Sequence, residues 1–564
     1  MKFVLSLAAT LLLPLSLFAQ EQPQQQPPQE PAQEVPRLVE TVDVRVINVD
    51  VVVTDRKGNP VTGLTKDDFI IYENGRPQKV SNFYEVITRA DAPEPVIRTE
   101  DSPEPKKPEQ PEQLKRKIVI FVDNLSLAPF NRNRVFKAMK DFVDETLRPG
   151  DQAMVVTWNR SMKVRLPFTS DATQIKQTLD AISGESALGI QLLSDRRQIQ
   201  SQIREAKRFE EAVIAARGYA QALEHDLRQT VREINALMAT LGGVEGKKIM
   251  LVTSEGFQMQ PGRELFYFID DIGRERLEWQ GVGSTFLESM SFNLSNQIES
   301  IAHAANANNI TLYTLHAGGL MGYNEGSAEN QEPVSASVQQ AALSNSTDSL
   351  RLMADLTGGL AVVGTNNFSN AFNKIKQDVS SYYSLGYRSG TERVDRRRTL
   401  EVTTKNPQYV VRSRRSFVEK SITTEMSDKV IANLFYESAS NDLGIIIRTG
   451  TPRSQDNGTF LVPLEVLVPM DRLTLLPRGE EYVGSFTFYV VVSDKNGDMS
   501  DVQKQTHQVR VPAASMGELK GKHYTYSVDL MMNPGRGKIS VGIADDLTTK
   551  TGFRTTELVA RDLR

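Results

Sequence analysis

The feature that most limits how this chain can fold is a series of short apolar runs separated by segments with helical periodicity. The clearest, Ile118–Val122, is continuously apolar, which is typical of a parallel strand buried on both faces. The predicted strands lie at Ile118–Val122, Gln152–Trp158, Lys248–Thr253, Ile310–Leu315 and Leu360–Val363. This alternation predicts an α/β domain over 117–420, built on a doubly wound, mostly parallel sheet with helices on both faces. The helical patterns cover about 132–147, 170–182, 349–357 and 368–380.

One further strand and one long insertion complete the pattern. Met162–Leu166 follows a turn and is predicted to pair antiparallel with its predecessor. At about 187–242, apolar residues recur three and four positions apart, which indicates an amphipathic helix or a helical hairpin. Because glycine weakens a helix interior, Gly218 is the expected bend. The insertion is either an internal packing layer or an arm that binds a partner.

Residues 1–19 have the layout of a secretory signal peptide. Lys2 precedes an apolar run from Phe3 to Phe18, and Ala19 is a small residue suited to cleavage. The run is shorter than the roughly 20 apolar residues of a membrane span. We therefore expect export to the periplasm or the extracellular medium, with an uncleaved anchor as the alternative. The sequence has no cysteine, which excludes disulfides, thiolate metal sites and a lipid-modified cysteine.

Two linkers and two β segments flank the α/β domain. Residues 20–37 are rich in Pro and Gln, and residues 92–116 in Pro, Glu and Lys, so neither can bury enough apolar surface to fold. Between them, 38–91 alternates apolar and polar residues and is predicted to be a small β domain. Residues 421–564 contain short strands punctuated by turns, the pattern of a β-sandwich-like domain.

Charge and composition exclude several classes of partner. The net charge is only −4 over 564 residues, which indicates neither nucleic acid nor an anionic membrane surface. No segment after the signal peptide is apolar enough to span a membrane, and no phosphate loop or dinucleotide fingerprint is present. A protein is the expected partner. Its identity and the oligomeric state of the chain stay open.

Several stretches, taken in order, resemble one known family. They are Asn48–Asp55, Gly63–Phe69, Ile118–Asp123, Leu356–Gly359 and Tyr382–Tyr387. Together they are similar to the acidobacterial von Willebrand factor A (vWA)-related family of exported proteins. The resemblance covers most of the chain after the signal peptide and implies a vWA-type, Rossmann-like fold.

The vWA-type fold implies a metal-ion-dependent adhesion site above the sheet, in which hydroxyl and carboxylate oxygens hold Mg²⁺. Its first loop is Asp-x-Ser-x-Ser. Asp123 lies at its strand end as this site requires, but Leu125 and Leu127 occupy the two serine positions. Ser126 is one position out of register.

The other two loops of that site also depart from the pattern. Ser186, in Gly184–Leu188, is the candidate for the threonine, and Thr253-Ser254-Glu255-Gly256 replaces Thr-Asp-Gly. We therefore expect a degenerate site and no cofactor, with bound Mg²⁺ as the alternative. The candidate ligands are Asp123, Ser126, Ser186, Ser254 and Glu255.

Candidates for catalysis are few. Ser254 lies in Thr-Ser-Glu-Gly, which lacks the first glycine of the Gly-x-Ser-x-Gly nucleophile elbow. His316 ends a strand and is a candidate acid or base. We expect no catalytic residue and no enzyme, but an adhesion-type binding protein that mediates protein–protein interaction at the cell envelope. The alternatives are a structural envelope component that assembles through the helical insertion, and a serine hydrolase.

Overall fold

A computed structural model describes residues 46–87, 96–98, 115–276, 279, 285–320, 335–389, 394–436, 440–548 and 550–561. The predicted signal peptide (1–19) and first linker (20–37) lie outside the described residues. The chain divides into two compact units, which we describe separately. One is Ile47–Ser438, the α/β unit; the other is Ala439–Arg564, the C-terminal unit.

The strands and helices follow in chain order. In and around the α/β unit they are β1 (Val46–Thr54), β2 (Phe69–Glu73), β3 (Arg76–Gln78), β4 (Val80–Ile87), β5 (Val96–Arg98), β6 (Arg116–Asp123), α1 (Pro129–Thr146), β7 (Gln152–Trp158), β8 (Met162–Thr169), α2 (Ala172–Ser183), α3 (Gly189–Glu205), α4 (Phe209–Thr240), β9 (Lys247–Ser254), α5 (Arg263–Glu275), α6 (Phe286–Met290), α7 (Ser295–Ala307), β10 (Ile310–His316), α8 (Ala336–Thr357), β11 (Ala361–Val362), α9 (Phe368–Ser380), β12 (Ser381–Arg388), β13 (Arg397–Thr404), β14 (Val410–Arg412), β15 (Ser416–Val418) and α10 (Ile422–Tyr436). In the C-terminal unit they are β16 (Ile446–Thr449), β17 (Arg453–Ser454), β18 (Phe460–Pro469), β19 (Leu476–Arg478), β20 (Glu481–Ser493), β21 (Gln503–Pro512), β22 (His523–Met532), β23 (Gly535–Asp545) and β24 (Thr551–Ala560).

The central sheet of the α/β unit has six strands in the order β11-β10-β9-β6-β7-β8. All neighbours are parallel except β7 and β8, which pair antiparallel. The predicted mostly parallel sheet is therefore confirmed, together with the antiparallel pairing of the segment that begins at Met162.

Helices cover both faces of this sheet. Successive residues of each strand point to opposite faces, and both sets are apolar, so each face must be buried. Ile118, Ile120 and Val122 of β6 belong to one apolar core with residues of α1, α2 and α9. Val119 and Phe121 belong to a second core with residues of α4, α7 and α8. Both faces of β6 are thus used, which explains why its sequence is continuously apolar.

The helical insertion is two helices, α3 and α4, and the expected bend at Gly218 is wrong. The break falls at 206–208, where the Glu211 side chain accepts hydrogen bonds from the Lys207 and Arg208 N–H groups and caps the start of α4. Gly218 lies inside α4. The second half of α4 packs on the sheet, and the Trp158 indole N–H donates to Thr230 Oγ1 over 3.0 Å.

Two smaller sheets join the N-terminal β segment to later strands. Their orders are β14-β1-β12-β4-β5 and β15-β13-β2-β3, so strands within the predicted small β domain (38–91) pair with strands after residue 380. Val96–Arg98, from the predicted linker 92–116, pairs with β4. The predicted domain boundaries themselves stay a prediction.

The C-terminal unit consists of two antiparallel sheets. One contains β16, β17, β18 and β22, and the other β19, β20, β21, β23 and β24. Alternate residues of β18, such as Val462 and Leu464, share one core with Phe488 and Val490 of β20. Two sheets closed on one core form a sandwich. Of the predicted range 421–564, α10 falls within the α/β unit. No helix in the described parts of the chain is long and apolar enough to cross a membrane.

Glu264 is an unusual buried acid at the start of α5. It is 1% exposed, and neither carboxylate oxygen has a hydrogen-bond partner among the described residues. Burial raises its pKa, while the positive charges of Arg196 and Arg263 oppose the rise. Burying an ionised carboxylate without donors is costly, so the folded protein favours the protonated acid.

We expect Glu264→Gln to stabilise the α/β unit at alkaline pH. In the wild type, Glu264 is protonated in both states below the ordinary pKa of glutamate. As the pH rises, the unfolded protein ionises first, so the free energy of unfolding falls until the pH reaches the raised pKa of the folded state. The glutamine variant does not ionise and should be more stable by about 1–3 kcal/mol at pH 8 and equally stable at pH 4. Urea unfolding followed by tryptophan fluorescence measures this, since Trp158 and Trp279 both lie in this unit.

The matched control is Glu275→Gln, at the exposed end of the same helix, which should show no pH-dependent difference. Equal stabilities of Glu264→Gln and wild type at both pH values would contradict a buried, protonated Glu264.

Candidate functional site

The carboxyl ends of β6, β9 and β10 bring three polar residues to the same edge of the central sheet. Val122 pairs with Thr253, and Ser254 pairs with His316. Asp123, Ser254 and His316 therefore follow one another at the ends of three adjacent strands. This is the edge at which ligands bind in parallel α/β sheets.

Asp123 is the centre of a compact hydrogen-bonded cluster. Its Oδ2 accepts from Ser126 Oγ at 2.6 Å and from Ser254 Oγ at 2.7 Å, and the two hydroxyl oxygens are 3.0 Å apart. The turn after β6 makes this possible, since the Ser126 N–H donates to the Asp123 carbonyl and returns the hydroxyl to the strand end. The structure thus joins Asp123, Ser126 and Ser254, three of the five predicted residues.

Backbone N–H groups after β9 close the cluster from the other side. The Glu255 N–H donates to Ser126 Oγ at 3.0 Å, and the Gly256 N–H donates to Ser254 Oγ at 2.9 Å. Gly256 has a φ of +98°, and a Cβ there would lie 2.4 Å from the Ser346 carbonyl oxygen. Only glycine therefore fits this turn.

The Glu255 side chain contacts α1 instead of the serines. Its Oε1 accepts from the Ala128 N–H and from Asn131 Nδ2, both at 2.9 Å. The Ala128 side chain makes no cap hydrogen bond at the start of α1, so the Glu255 carboxylate supplies the missing acceptor at this helix N-terminus. Sequence reasoning missed this partnership, because Ala128 carries no polar side chain that would mark the helix start.

Ser186, like the Glu255 side chain, lies outside the cluster. It lies on the exposed loop 184–188, and no described hydrogen bond joins its hydroxyl to Asp123, Ser126 or Ser254. The loop itself packs beside the cluster, since the Leu188 N–H donates to the Asn124 carbonyl at 2.9 Å. Wholly buried Arg132 also holds it, donating to the carbonyls of Ser183 and Glu185.

Burial dominates the electrostatics of this edge. It raises the pKa of Asp123, and hydrogen bonds from Ser126 and Ser254 oppose the rise. It also raises the pKa of Glu255, against hydrogen bonds from Ala128 and Asn131. The pKa of His316 is lowered to about 4, mainly by burial; a backbone hydrogen bond at Gly319 opposes the shift and the positive charges of Arg351 and Arg134 add to it, so this imidazole is neutral at pH 7.

The donor set does not fit Mg²⁺ in this arrangement. That ion requires near-octahedral oxygen ligands and normally keeps several waters. Ser254 is wholly buried and Asp123 is 2% exposed, so water has no access between them. Both hydroxyl protons point at Asp123, and each hydroxyl oxygen accepts a backbone N–H. Within the described residues, no group of three or more His, Asp or Glu side chains could hold a metal.

The serine and histidine are not arranged as nucleophile and base. Ser254 donates its proton to Asp123, and none of the described hydrogen bonds joins it to His316. His316 Nδ1 is buried without a partner in the described part of the chain. A nucleophile needs a base within hydrogen-bond reach and access to substrate, and Ser254 has neither.

Three large apolar side chains on segments next to this edge are exposed; we call them the apolar rim. Phe130 is 74% exposed, Leu320 66% and Ile190 59%. Arg134 contacts Phe130 and the segment that precedes Leu320. Its guanidinium lies 5.7 Å from the Phe130 ring centre and donates at 2.8 Å to the carbonyl of Ala317, three residues before Leu320.

No protein-family model matches the sequence, and no curated protein matches it. Solved structures with slight similarity include an aerotolerance-related membrane protein from Bacteroides fragilis NCTC 9343, at 12% identity over 47% of this chain and 98% of that chain, with a TM-score of 0.23. The pilus adhesin SpaC from Lactobacillus rhamnosus GG has 8% identity over 85% and 57%, with a TM-score of 0.25. Three domains of the pili tip protein Mfa5 from Porphyromonas gingivalis have 10% identity over 76% and 75%, with a TM-score of 0.27. At such scores, these similarities assign neither fold nor function to this chain.

We expect Mg²⁺ not to bind at this edge. Titration of the purified protein with millimolar Mg²⁺ or Mn²⁺ in a calorimeter should give no saturable heat, and the melting temperature should not rise, because a ligand stabilises a protein only by binding its folded state. Asp123→Ala is the matched variant. A saturable signal in wild type that disappears in Asp123→Ala would show that the cluster opens to accept a metal.

We expect a fluorophosphonate probe not to label Ser254, because its hydroxyl is buried and donates to a carboxylate instead of to a base. Mass spectrometry of the treated protein measures this, with Ser254→Ala and Ser126→Ala as paired variants. Labelling lost only in Ser254→Ala would instead establish a reactive serine.

Proposed function

We propose that this protein is an exported, non-enzymatic binding protein of the vWA type, and that it holds a protein partner on the carboxyl edge of its central sheet. The observation that carries the proposal is the exposed apolar rim, on segments next to an edge whose polar cluster is closed. Exposed aromatic and aliphatic side chains grouped on a rigid scaffold are typical anchors of protein interfaces.

The polar cluster supports the rim by fixing the loops that carry it. Ser126 precedes Phe130 by four residues, and the loop 184–188 precedes Ile190. Because Asp123, Ser126 and Ser254 are hydrogen-bonded to one another, they have little remaining capacity to bind an ion. Recognition then rests on apolar contact and on nearby backbone groups, and we propose that it is independent of metal.

A location in the cell envelope is part of the same proposal. It rests on the signal-peptide pattern at 1–19, and it fits an adhesion-type role between proteins.

The alternative of assembly through the helical insertion has less support. The apolar stripe of α4 is occupied internally: Leu227, Val231 and Ile234 contact the sheet core, and Val213 and Ala216 pack with α3 and α5. A helix whose apolar face is already covered has little left to bury against another copy.

Site-specific photo-crosslinking tests the proposed surface. A benzophenone amino acid replaces Phe130 or Leu320, and the matched control replaces Leu287, which is 78% exposed on α6 outside the rim. In cells that naturally produce the protein, we expect the same crosslinked partner from both rim positions and not from Leu287.

With that partner purified, Phe130→Ala should weaken its affinity by about fivefold or more, as truncation of an interface anchor does. Addition of EDTA should leave the affinity unchanged. Identical crosslinks from position 287, or full affinity in the Phe130→Ala, Leu320→Ala double variant, would refute the carboxyl edge as the binding surface.

A further inference from the structure

The short helix α6 exposes its apolar side to solvent. Phe286 is 48% exposed, Leu287 78% and Met290 40%, whereas Ser289 on the opposite side is 1% exposed. Thr285, which precedes the helix, is also buried, and its Oγ1 donates to a backbone carbonyl of α5 at 2.7 Å. A surface helix normally buries its apolar residues and exposes its polar ones. In α6 the buried hydroxyl residues instead keep three large apolar side chains at the surface.

An ion pair joins α6 to a second exposed surface, on α4. The Arg217 guanidinium lies 2.9 Å from the Glu288 carboxylate, and both side chains are nearly half exposed. Ile214, three residues before Arg217, is 65% exposed and lies outside the apolar core that α4 forms with α3 and α5. We call the combined surface the α6 patch; it consists of Ile214, Arg217, Phe286, Leu287, Glu288 and Met290.

Gly218 leaves an open notch beside this patch. It lies four residues after Ile214, so the two share one face of α4. Glycine destabilises a helix interior relative to alanine, yet α4 continues through Gly218, and an added Cβ would meet no atom of the described residues within 4 Å. The fold of a single chain therefore gives no reason for glycine here. The approach of another molecule to α4 at this point does give one.

The charge of the patch favours a second copy of the same chain. A dimer with two-fold symmetry uses the same surface on both protomers, so that surface must be complementary to itself. The α6 patch meets this requirement because it has one cation and one anion. Arg217 of one protomer can face Glu288 of its partner, and the reverse contact follows from the symmetry. A patch with charges of a single sign would repel its own copy.

The apolar area of the patch also matches what a dimer needs. The exposed fractions of its four apolar residues correspond to about 400 Å² of surface on each copy. A standard interface buries about 800 Å² on each partner, and somewhat more than half of that area is apolar. The patch thus supplies the apolar part of one interface of ordinary size.

We propose that a second copy of this chain covers the α6 patch and that the protein forms a two-fold symmetric dimer. In this dimer, Leu287 is buried, Arg217 and Glu288 pair across the interface, and the notch at Gly218 receives a side chain of the partner. Most of the apolar surface comes from α6, which lies outside the helical insertion. The dimer is independent of the apolar rim, so its failure would leave the proposed function of the carboxyl edge untouched. A crosslink from position 287 would join two copies of this chain and would differ from a partner captured at the rim.

Sedimentation equilibrium of the whole protein over a concentration series tests the dimer. The mass should rise from that of one chain to that of two and then stay constant. Leu287→Asp should remain monomeric over the same series, because the dimer would bury two unpaired carboxylates. Its matched control is Leu476→Asp, which is 48% exposed on β19 in the C-terminal unit and should dimerise as wild type does.

Charge reversal tests the symmetry. Arg217→Glu alone or Glu288→Arg alone should weaken dimerisation by about tenfold, since like charges then face each other. An equimolar mixture of these two variants should associate again as a heterodimer. A purely structural role of the ion pair cannot produce this rescue, because the pair stays broken within each chain.

Gly218→Gln tests the notch. Glutamine favours helix and has open space in the single chain, so the melting temperature of the dilute, monomeric protein should not fall. The added side chain should nevertheless weaken dimerisation by about fivefold or more.

Any of three results would overturn the proposal. The first is the mass of a single chain at every concentration, including the case in which position 287 captures a different protein. The second is undiminished dimerisation in Leu287→Asp, and the third is a mixture of the two charge variants that does not associate.

Discussion

The organisation of the carboxyl edge depends on one carboxylate with two hydroxyl donors. Asp123 ends a strand that is buried on both faces, and its Oδ2 receives the protons of serines from two different turns. Hydrogen bonds of this kind contribute about 0.5–1.5 kcal/mol each, and removing the acceptor would leave two buried donors unpaired. The turns after β6 and β9 are thereby locked together. These two hydrogen bonds therefore help to fix the position of the residues that follow the turns, which include Phe130 at the start of α1 and Glu255.

The sheet could be predicted from sequence because a central strand is buried on both faces, so that successive residues are apolar. A residue such as Phe121 must be apolar for one face and its neighbour Val122 for the other, so the run is continuous and its ends are sharp. Helix starts were harder to predict. The polar stretch before Ser349 has few large apolar residues, yet α8 begins at Ala336, because Val338, Ala341 and Ala342 are buried there. Small residues such as alanine give a weak periodic signal even where they pack closely.

The sequence predicts that Asp123 and Ser254 lie in the site, but it does not predict how the residues of the site are hydrogen-bonded. Asp123 and Ser254 could be placed at one edge because parallel strands end together. Ser126 reaches Asp123 because of a hydrogen bond within the turn between them. Alignment of the sequence to a motif gives no information about this turn. Ser186 is predicted from the match of the loop Gly184–Leu188 to the threonine loop, but this loop packs beside the cluster through backbone groups. The break at 206–208 likewise reflects a local choice, in which the Glu211 carboxylate caps the second helix while Gly218 continues it.

The pairing of early with late strands has a consequence for how the chain acquires its structure. Tyr383 donates to Glu85, a contact between residues 298 positions apart, and β12 lies between β1 and β4 in one sheet. When such distant segments pair, the chain loses much conformational entropy before the stabilising contacts form, so these sheets form slowly. During synthesis, β1 has no neighbouring strand to pair with until the residues near 381 have been made.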